Sequence, residues 1–252
     1  FTPDQPPFRL TPFRIKARLI EALSVDFLLM QHFDKAFAAH TAEEFIDEVL
    51  IKGLGVRAVV VGYDFCFGKA RTGSVEMLRG RPEFETVSVD AQSGPDGQTY
   101  SSNLIRQSLL DGKPDNAARL LGRPWEIEGR VETGDQRGRT IGFPTANLHL
   151  GDYMRPAIGV YAVRAGIDQG SDTIWHDGVA NLGRRPTFDK QDVILEAHLF
   201  DFDGDLYGRH LRVALSGYIR AERKFDGLPA LKAQIAEDCE TARAILSEVP
   251  PL

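Results

Sequence analysis

Residues 134–148 read Gly134-Asp135-Gln136-Arg137-Gly138-Arg139-Thr140-Ile141-Gly142-Phe143-Pro144-Thr145-Ala146-Asn147-Leu148. The glycines Gly134, Gly138 and Gly142 let backbone N–H groups approach an anion closely and tolerate positive φ. Arg137 and Arg139 add fork-shaped donors suited to phosphate. Thr145 and Asn147 stand two residues apart, so on an extended segment their side chains share a face. A hydroxyl and an amide oxygen side by side can hold a hard cation such as Mg²⁺. A glycine-rich stretch is also a common surface turn; the Gly-x-Pro-Thr-Ala-Asn ending over 142–147 sets this one apart.

Around this stretch the C-terminal half offers strand candidates at 125–133, 158–165, 174–181, 193–200 and 210–219. Turn clusters such as Asp168-Gln169-Gly170-Ser171-Asp172 and Asp203-Gly204-Asp205 separate them. Closely spaced strands with such turns predict a small antiparallel barrel. A last helix starts near Asp226, taken as its N-cap. Leu228, Leu231, Ile235, Cys239, Ala242 and Leu246 form its apolar stripe, which predicts packing on the outside of the barrel. In the segment 193–200, Leu195, Ala197 and Leu199 share one face while Glu196 and His198 share the other. A carboxylate inside an otherwise apolar strand needs either solvent or a ligand.

The N-terminal half follows a different grammar. Thr41-Ala42-Glu43-Glu44 forms a capping box, and Phe45, Ile46, Val49 and Leu50 continue it as one apolar helix face. Gly53 and Gly55 end that helix. The run 56–61 is apolar and β-branched, as in a strand buried on both faces. Helix, glycine turn and buried strand together predict a parallel α/β sheet, in which ligands bind beyond the carboxyl ends of the strands. Asp64, in Gly62-Tyr63-Asp64-Phe65-Cys66-Phe67-Gly68-Lys69, stands at that position. Ser101 and Ser102 open a helix, either as phosphate donors or simply as an N-cap. Asp111-Gly112-Lys113-Pro114-Asp115 breaks the helical stretch 101–121, and Gly122-Arg123-Pro124 marks a domain boundary.

The Gly-x-Pro-Thr-Ala-Asn segment resembles the nucleotide-binding signature of riboflavin kinases. The same family shows, in this order, segments similar to Gly159-Val160-Tyr161-Ala162-Val163, Asn181-Leu182-Gly183-Arg184-Arg185-Pro186-Thr187-Phe188, Glu196-Ala197-His198-Leu199, Gly204-Asp205-Leu206-Tyr207-Gly208 and Ile219-Arg220-Ala221-Glu222-Arg223-Lys224-Phe225-Asp226. Upstream, Gly62 to Lys69 and Ser101-Ser102-Asn103-Leu104-Ile105-Arg106 resemble motifs of the adenylyltransferase module of bacterial bifunctional riboflavin kinase/FAD synthetases. The implied fold is a partial Rossmann-like nucleotidyltransferase α/β domain, residues 1–121, followed by a small antiparallel β-barrel with a C-terminal helix, residues 122–252.

The resemblance implies transfer of the ATP γ-phosphoryl to the riboflavin 5′-hydroxyl, giving FMN and ADP. Gly134, Gly138, Arg139 and Gly142 would cradle phosphates, with Arg137, Arg184 and Arg185 available to the same pocket. Thr145 and Asn147 would hold Mg²⁺ with ATP. Glu196 would be the general base, with His198 a structural neighbour. Asn181, Arg220, Glu222 and Phe225 would meet the flavin, the loop 220–226 closing over it as a flap, while Arg223 and Lys224 read as a solvated turn. Asp64, Ser101, Ser102 and Arg106 would belong to a second nucleotide site.

Two departures stand out. Leu104 occupies a place where that motif carries an arginine. None of the six histidines forms a His-x-Gly-His pair, and the chain begins with Phe1. The expectation is a missing first βα unit and no synthesis of FAD from FMN by this chain. A flavin- or nucleotide-binding module without catalysis is the alternative, against which Glu196, Thr145 and Asn147 all stand intact.

Composition narrows the rest. A chain of 252 residues with 42% hydrophobic and 26% charged residues is an ordinary globular protein, long enough for two domains. A net charge of −6 argues against a general nucleic-acid binder. Cys66 and Cys239 lack a CxxC partner and read as thiols of a reducing cytoplasm. No apolar run reaches membrane-spanning length.

Overall fold

The computed structural model describes residues 7–95, 97–133, 138, 141–186 and 191–252. They form two compact units, Asp26–Tyr100 and Ser101–Leu252, the latter together with the described part of Phe1–Val25. Helix α1 (Phe13–Glu21) therefore belongs to the larger unit.

In the smaller unit the expected capping box forms. Thr41 Oγ1 accepts the Glu44 N–H at 3.2 Å, and the Glu44 carboxylate accepts the Thr41 N–H at 2.8 Å. It starts α2 (Ala42–Glu44), which runs on as a π-helical stretch over Phe45–Gly53. Its Ile46 packs with Phe67, with Leu78 of α3 (Val75–Arg79), and with Phe84. Strands β1 (Ala58–Gly62) and β2 (Glu85–Val89) run parallel, with Val60 opposite Val87. Gly68 is required as glycine: its φ is +71°, and a Cβ there would lie 2.6 Å from the Ala42 nitrogen. One expectation fails, because β1 is not buried on both faces. Val59 and Val61 pack on the apolar cluster, but Val60 is 65% exposed. The helix covers only one side of this two-stranded sheet.

The larger unit carries α4 (Ser102–Leu110) and α5 (Pro114–Leu121), separated where the sequence breaks and ended by Gly122 at φ +71°. Six antiparallel strands follow: β3 (Trp125–Arg130), β4 (Ala146–His149), β5 (Gly159–Ile167), β6 (His176–Pro186), β7 (Gln191–Leu199) and β8 (His210–Arg220). Their spatial order is β3-β8-β5-β6-β7-β4. The outer strands approach through a Glu132–Asn147 bridge, where the Glu132 N–H donates to the Asn147 carbonyl at 3.0 Å, so the sheet curls into a near-closed barrel. Inward-facing Trp125, Ile127, Leu148, Leu195, Leu211 and Leu215 are fully buried, and α1, α4 and α5 add Ile15, Leu109 and Leu120 to the same core. Alternation along each strand produces this inside and leaves the other face for function.

Charges dock α1 on the barrel. Arg18 and Arg212 both donate to Glu126 Oε2 at 2.9 Å, and Arg14 pairs with Asp168. Glu128, beside them with its side chain 4% exposed, has its carboxyl raised above the usual range by burial, against the pull of Arg18 and Arg14.

Helix α6 (Leu228–Glu248) packs outside the barrel as expected, Ala242 and Leu246 lying on Val160, Ala162, Val179 and Phe200. Its details correct the sequence reading. Gly227, at φ 97°, is the N-cap in place of Asp226, and Leu228 is 52% exposed. The buried face follows an i, i+4 row of Gln234, Asp238, Ala242 and Leu246, half of it polar. Arg164 of β5 clamps the far end, donating to the carbonyls of Leu246 and Val249 at 2.9 Å and to that of Pro250. Those carbonyls have no partner within a helix terminus, and a cation there also suits the helix dipole. Among the described residues no helix is long and apolar enough to cross a membrane.

Candidate active site

Register assembles the site. Asn147 of β4 pairs with Glu196 of β7, Glu196 with Asn181 of β6, Asn181 with Val160 of β5, and Val160 with Arg220 of β8. Residues directly opposite on neighbouring strands share a face with Cβ atoms about 4.5–5.5 Å apart. The five positions thus form one row across the outer wall of the barrel.

Over that row lies a cavity of about 680 Å³. Glu196, Asn181 and His198 form part of its floor, Leu231, Ile235 and Asp238 of α6 one wall, and Glu222, Arg223, Lys224 and Phe225 its rim. All four expected flavin contacts, Asn181, Arg220, Glu222 and Phe225, therefore meet Glu196 in one hollow. They are already tied to one another and to α6. Asn181 Nδ2 donates to Glu222 Oε1 at 3.0 Å. Arg220 donates twice to Asp238, at 2.8 and 2.7 Å, and stands 5.6 Å from the Phe225 ring centroid. Its charged form is favoured by that hydrogen bonding to Asp238. Arg223 and Lys224 are exposed as expected but also line the rim, with Arg223 5.0 Å from the Phe225 ring.

Gly138 and Thr145 line the same cavity. Gly138 accepts the Phe143 N–H at 2.8 Å, and a Cβ on it would run into the Phe143 carbonyl oxygen. His198 Nδ1 lies 2.8 Å from the Pro144 carbonyl, and its ring packs edge-on against Phe143. The imidazole expected to be a structural neighbour thereby pins the loop that leads into Thr145. Asn147 is only 8% exposed. Gly142, at φ +92°, is exposed on the turn before Phe143. Gly134, Arg137 and Arg139, and the side chain of Arg185, lie outside the described residues, while Arg184 on β6 is exposed.

A second cavity, about 430 Å³, lies beyond Thr145 and is lined by Pro144, Phe202, Asp203, Asp205 and Tyr207. Thr145 is common to both cavities. Sequence reasoning did not find this hollow, because its residues sit on a turn that only the fold brings against β4.

Of the expected second nucleotide site, Asp64 is exposed in the smaller unit beyond the end of β1. Ser101, Ser102 and Arg106 belong to the larger unit. Ser101 caps α4 by accepting the Leu104 N–H at 3.3 Å, and Arg106 donates to the Phe8 carbonyl at 3.0 Å. Asp238 and Gln234 were missed: a hydrophobic stripe carries no signal for polar residues on a buried helix face.

The sequence matches the riboflavin kinase family over residues 121–246 and the FAD synthetase family over residues 1–103. It is 43% identical over 253 residues to the bifunctional riboflavin kinase/FMN adenylyltransferase of Escherichia coli K12, covering 100% of this chain and 80% of that protein. A Haemophilus influenzae protein of the same description is 40% identical, with 96% and 78% covered. Among solved structures, one described as a macrolide-efflux protein from Streptococcus pneumoniae superposes with a TM-score of 0.81 at 34% identity, over 94% of this chain and 76% of that one.

Proposed function

This chain belongs to the bifunctional riboflavin kinase/FMN adenylyltransferase family, and on that premise we propose how its barrel phosphorylates riboflavin. The observation that carries the reading is the row Asn147–Glu196–Asn181 beneath a cavity large enough for a flat heterocycle. The isoalloxazine ring lies between the wall of α6 and Phe225, with Asn181 and Glu222 available to its polar edge. Its ribityl chain extends along the floor toward Glu196 and Thr145. ATP approaches from the smaller cavity, so its phosphates cross Thr145 to meet the terminal hydroxyl.

Phosphoryl transfer asks mainly for alignment and charge neutralisation. Glu196 accepts the proton of the ribityl 5′-hydroxyl as its oxygen bonds to the γ-phosphorus and the bond to ADP breaks. Gly138, with no Cβ, lets the loop backbone close on phosphate. His198 holds Pro144 and so orients Thr145 beside the base.

Thr145 and Asn147 suit Mg²⁺ shared with ATP. Among the described residues no group of three or more His, Cys, Asp or Glu could hold a metal ion, so the protein would offer neutral oxygens and the phosphates the remaining charge, as such ions commonly bind. Asn147 is nearly buried and lies directly opposite Glu196, so its amide oxygen and the carboxylate stand on one face where such a cation would sit. Mg²⁺ so held would neutralise charge on the β- and γ-phosphates.

The test is product chromatography after incubating the 252-residue chain with riboflavin and ATP, with and without Mg²⁺. FMN that depends on all three supports the reading. Folded protein yielding no FMN above background refutes it. The same chromatogram reports FAD, the product expected of the family's other module.

A further inference from the structure

We propose that Asp238 is a positioning residue for flavin binding, acting through Arg220 to set the segment 221–227 that closes the cavity. The proposal rests on the kinase reading above and adds to it a residue that no motif in the sequence marks. Asp238 is 3% exposed on the face of α6 that meets the barrel. It accepts two hydrogen bonds from Arg220 and a third from Gln234 Nε2, at 2.9 Å.

Stability alone is a poor reason for such a group. Burying an ion pair commonly gains little over apolar side chains of the same shape, and the neighbouring turns of α6 pack on the barrel with Ala242 and Leu246. What the pair does fix is geometry. Arg220 is the last residue of β8 and the root of the rim. Its guanidinium is held in plane by the two carboxylate oxygens, which leaves Nη1 to donate to the Ala221 carbonyl at 3.0 Å and its face toward Phe225. Asp238 therefore reaches the rim at two points, the first peptide beyond the strand and the aromatic ring at the cavity mouth. Glu222, between those points, is bonded to Asn181 and completes the bracket. An unset rim would lower the population of the flavin-competent state, and apparent affinity falls in proportion to that population.

The variant is Asp238→Asn, which keeps the shape and loses the charge. Riboflavin binding is read by quenching of flavin fluorescence, and KM for riboflavin and for Mg·ATP by FMN formation, alongside thermal unfolding. The expected result is a rise of about 10-fold or more in riboflavin Kd and KM, with the Mg·ATP KM within about threefold of wild type. Asp238→Glu should recover part of the riboflavin affinity. Arg220→Met should reproduce the defect, and the double variant should be no worse than either single one. Unchanged riboflavin affinity beside a lowered melting temperature would make Asp238 a structural strut and overturn the proposal. An equal loss of both affinities, or additive effects in the double variant, would overturn it too. Failure of wild type itself to bind riboflavin would instead refute the kinase reading.

Discussion

Replacing Gly138 by alanine adds one methyl group to the loop proposed to hold the nucleotide. The new Cβ would overlap the Phe143 carbonyl oxygen and lie 3.4 Å from Thr145 Oγ1. An ordinary C···O contact needs about 3.3 Å, so the Phe143 carbonyl must retreat by about 1 Å. That carbonyl cannot move alone. Its own N–H is bonded to Gly138 at 2.8 Å, and the next carbonyl, of Pro144, is held by His198 at 2.8 Å. The displacement is therefore passed to Thr145. A misplacement of about 1 Å in a positioning group can cost about 10²-fold in rate. Steady-state FMN formation at saturating riboflavin, with Mg·ATP varied, should show kcat/KM for ATP down by about that factor. Riboflavin binding by fluorescence quenching should stay near wild type, because the end of the cavity proposed for the flavin lies at Phe225 and α6. Activity within threefold of wild type would show that the loop relaxes freely and that its close contact is not what aligns Thr145.

Three further outcomes are expected. Glu196→Gln should lower kcat by about 10²–10⁴-fold with riboflavin binding retained, and a variant within a few-fold of wild type in the same assay would move the base elsewhere. Asn147→Ala should raise the Mg²⁺ concentration for half-maximal rate by about 10-fold or more, since even residues that only orient a ligand cost that much; an unchanged Mg²⁺ titration would remove the metal role. Glu128, its carboxyl raised by burial, gives a pH test. A folded-state value above the unfolded one means that its contribution to stability is full below about pH 4.3 and is lost as pH rises through the folded value. Glu128→Gln should therefore gain on wild type in urea unfolding as pH rises from about 4 to 8, whereas a pH-independent difference would contradict the burial argument.

Much of this was legible in the chain because strand and capping signals are local. Thr41 and Glu44 specify their capping box without help from the rest of the fold. The alternation of Leu195, Ala197 and Leu199 against Glu196 and His198 places core and site on opposite faces of β7. The four-residue β4 was visible only as an extended pair, Thr145 and Asn147, because its pairing with β7 is a long-range fact. Helix α6 misled for a physical reason. Of its apolar stripe, Cys239, Ala242 and Leu246 do pack on the barrel, but toward the N-terminal end Leu228 is exposed and the buried positions are the polar Gln234 and Asp238, the latter reaching Arg220. The run 56–61 misled differently, since β-branched residues favour a strand whether or not both its faces are covered.

The row from Asn147 to Arg220 makes the barrel wall a ruler with coarse graduations. One step sideways is a strand spacing of about 4.8 Å, and one step along a strand that keeps the same face is about 6.7 Å. Substitutions on the wall can move a side-chain tip, as Glu196→Asp would, but the backbone spacing between the proposed base and Asn147 stays fixed by the ladder beneath. Adjustment of fit must then be made by the parts not ruled by it, the segment 221–227 on the side proposed for the flavin and the loop that His198 pins on the side proposed for the nucleotide. Chemistry and fit are thereby assigned to different materials, a rigid lattice for the first and two tethered loops for the second.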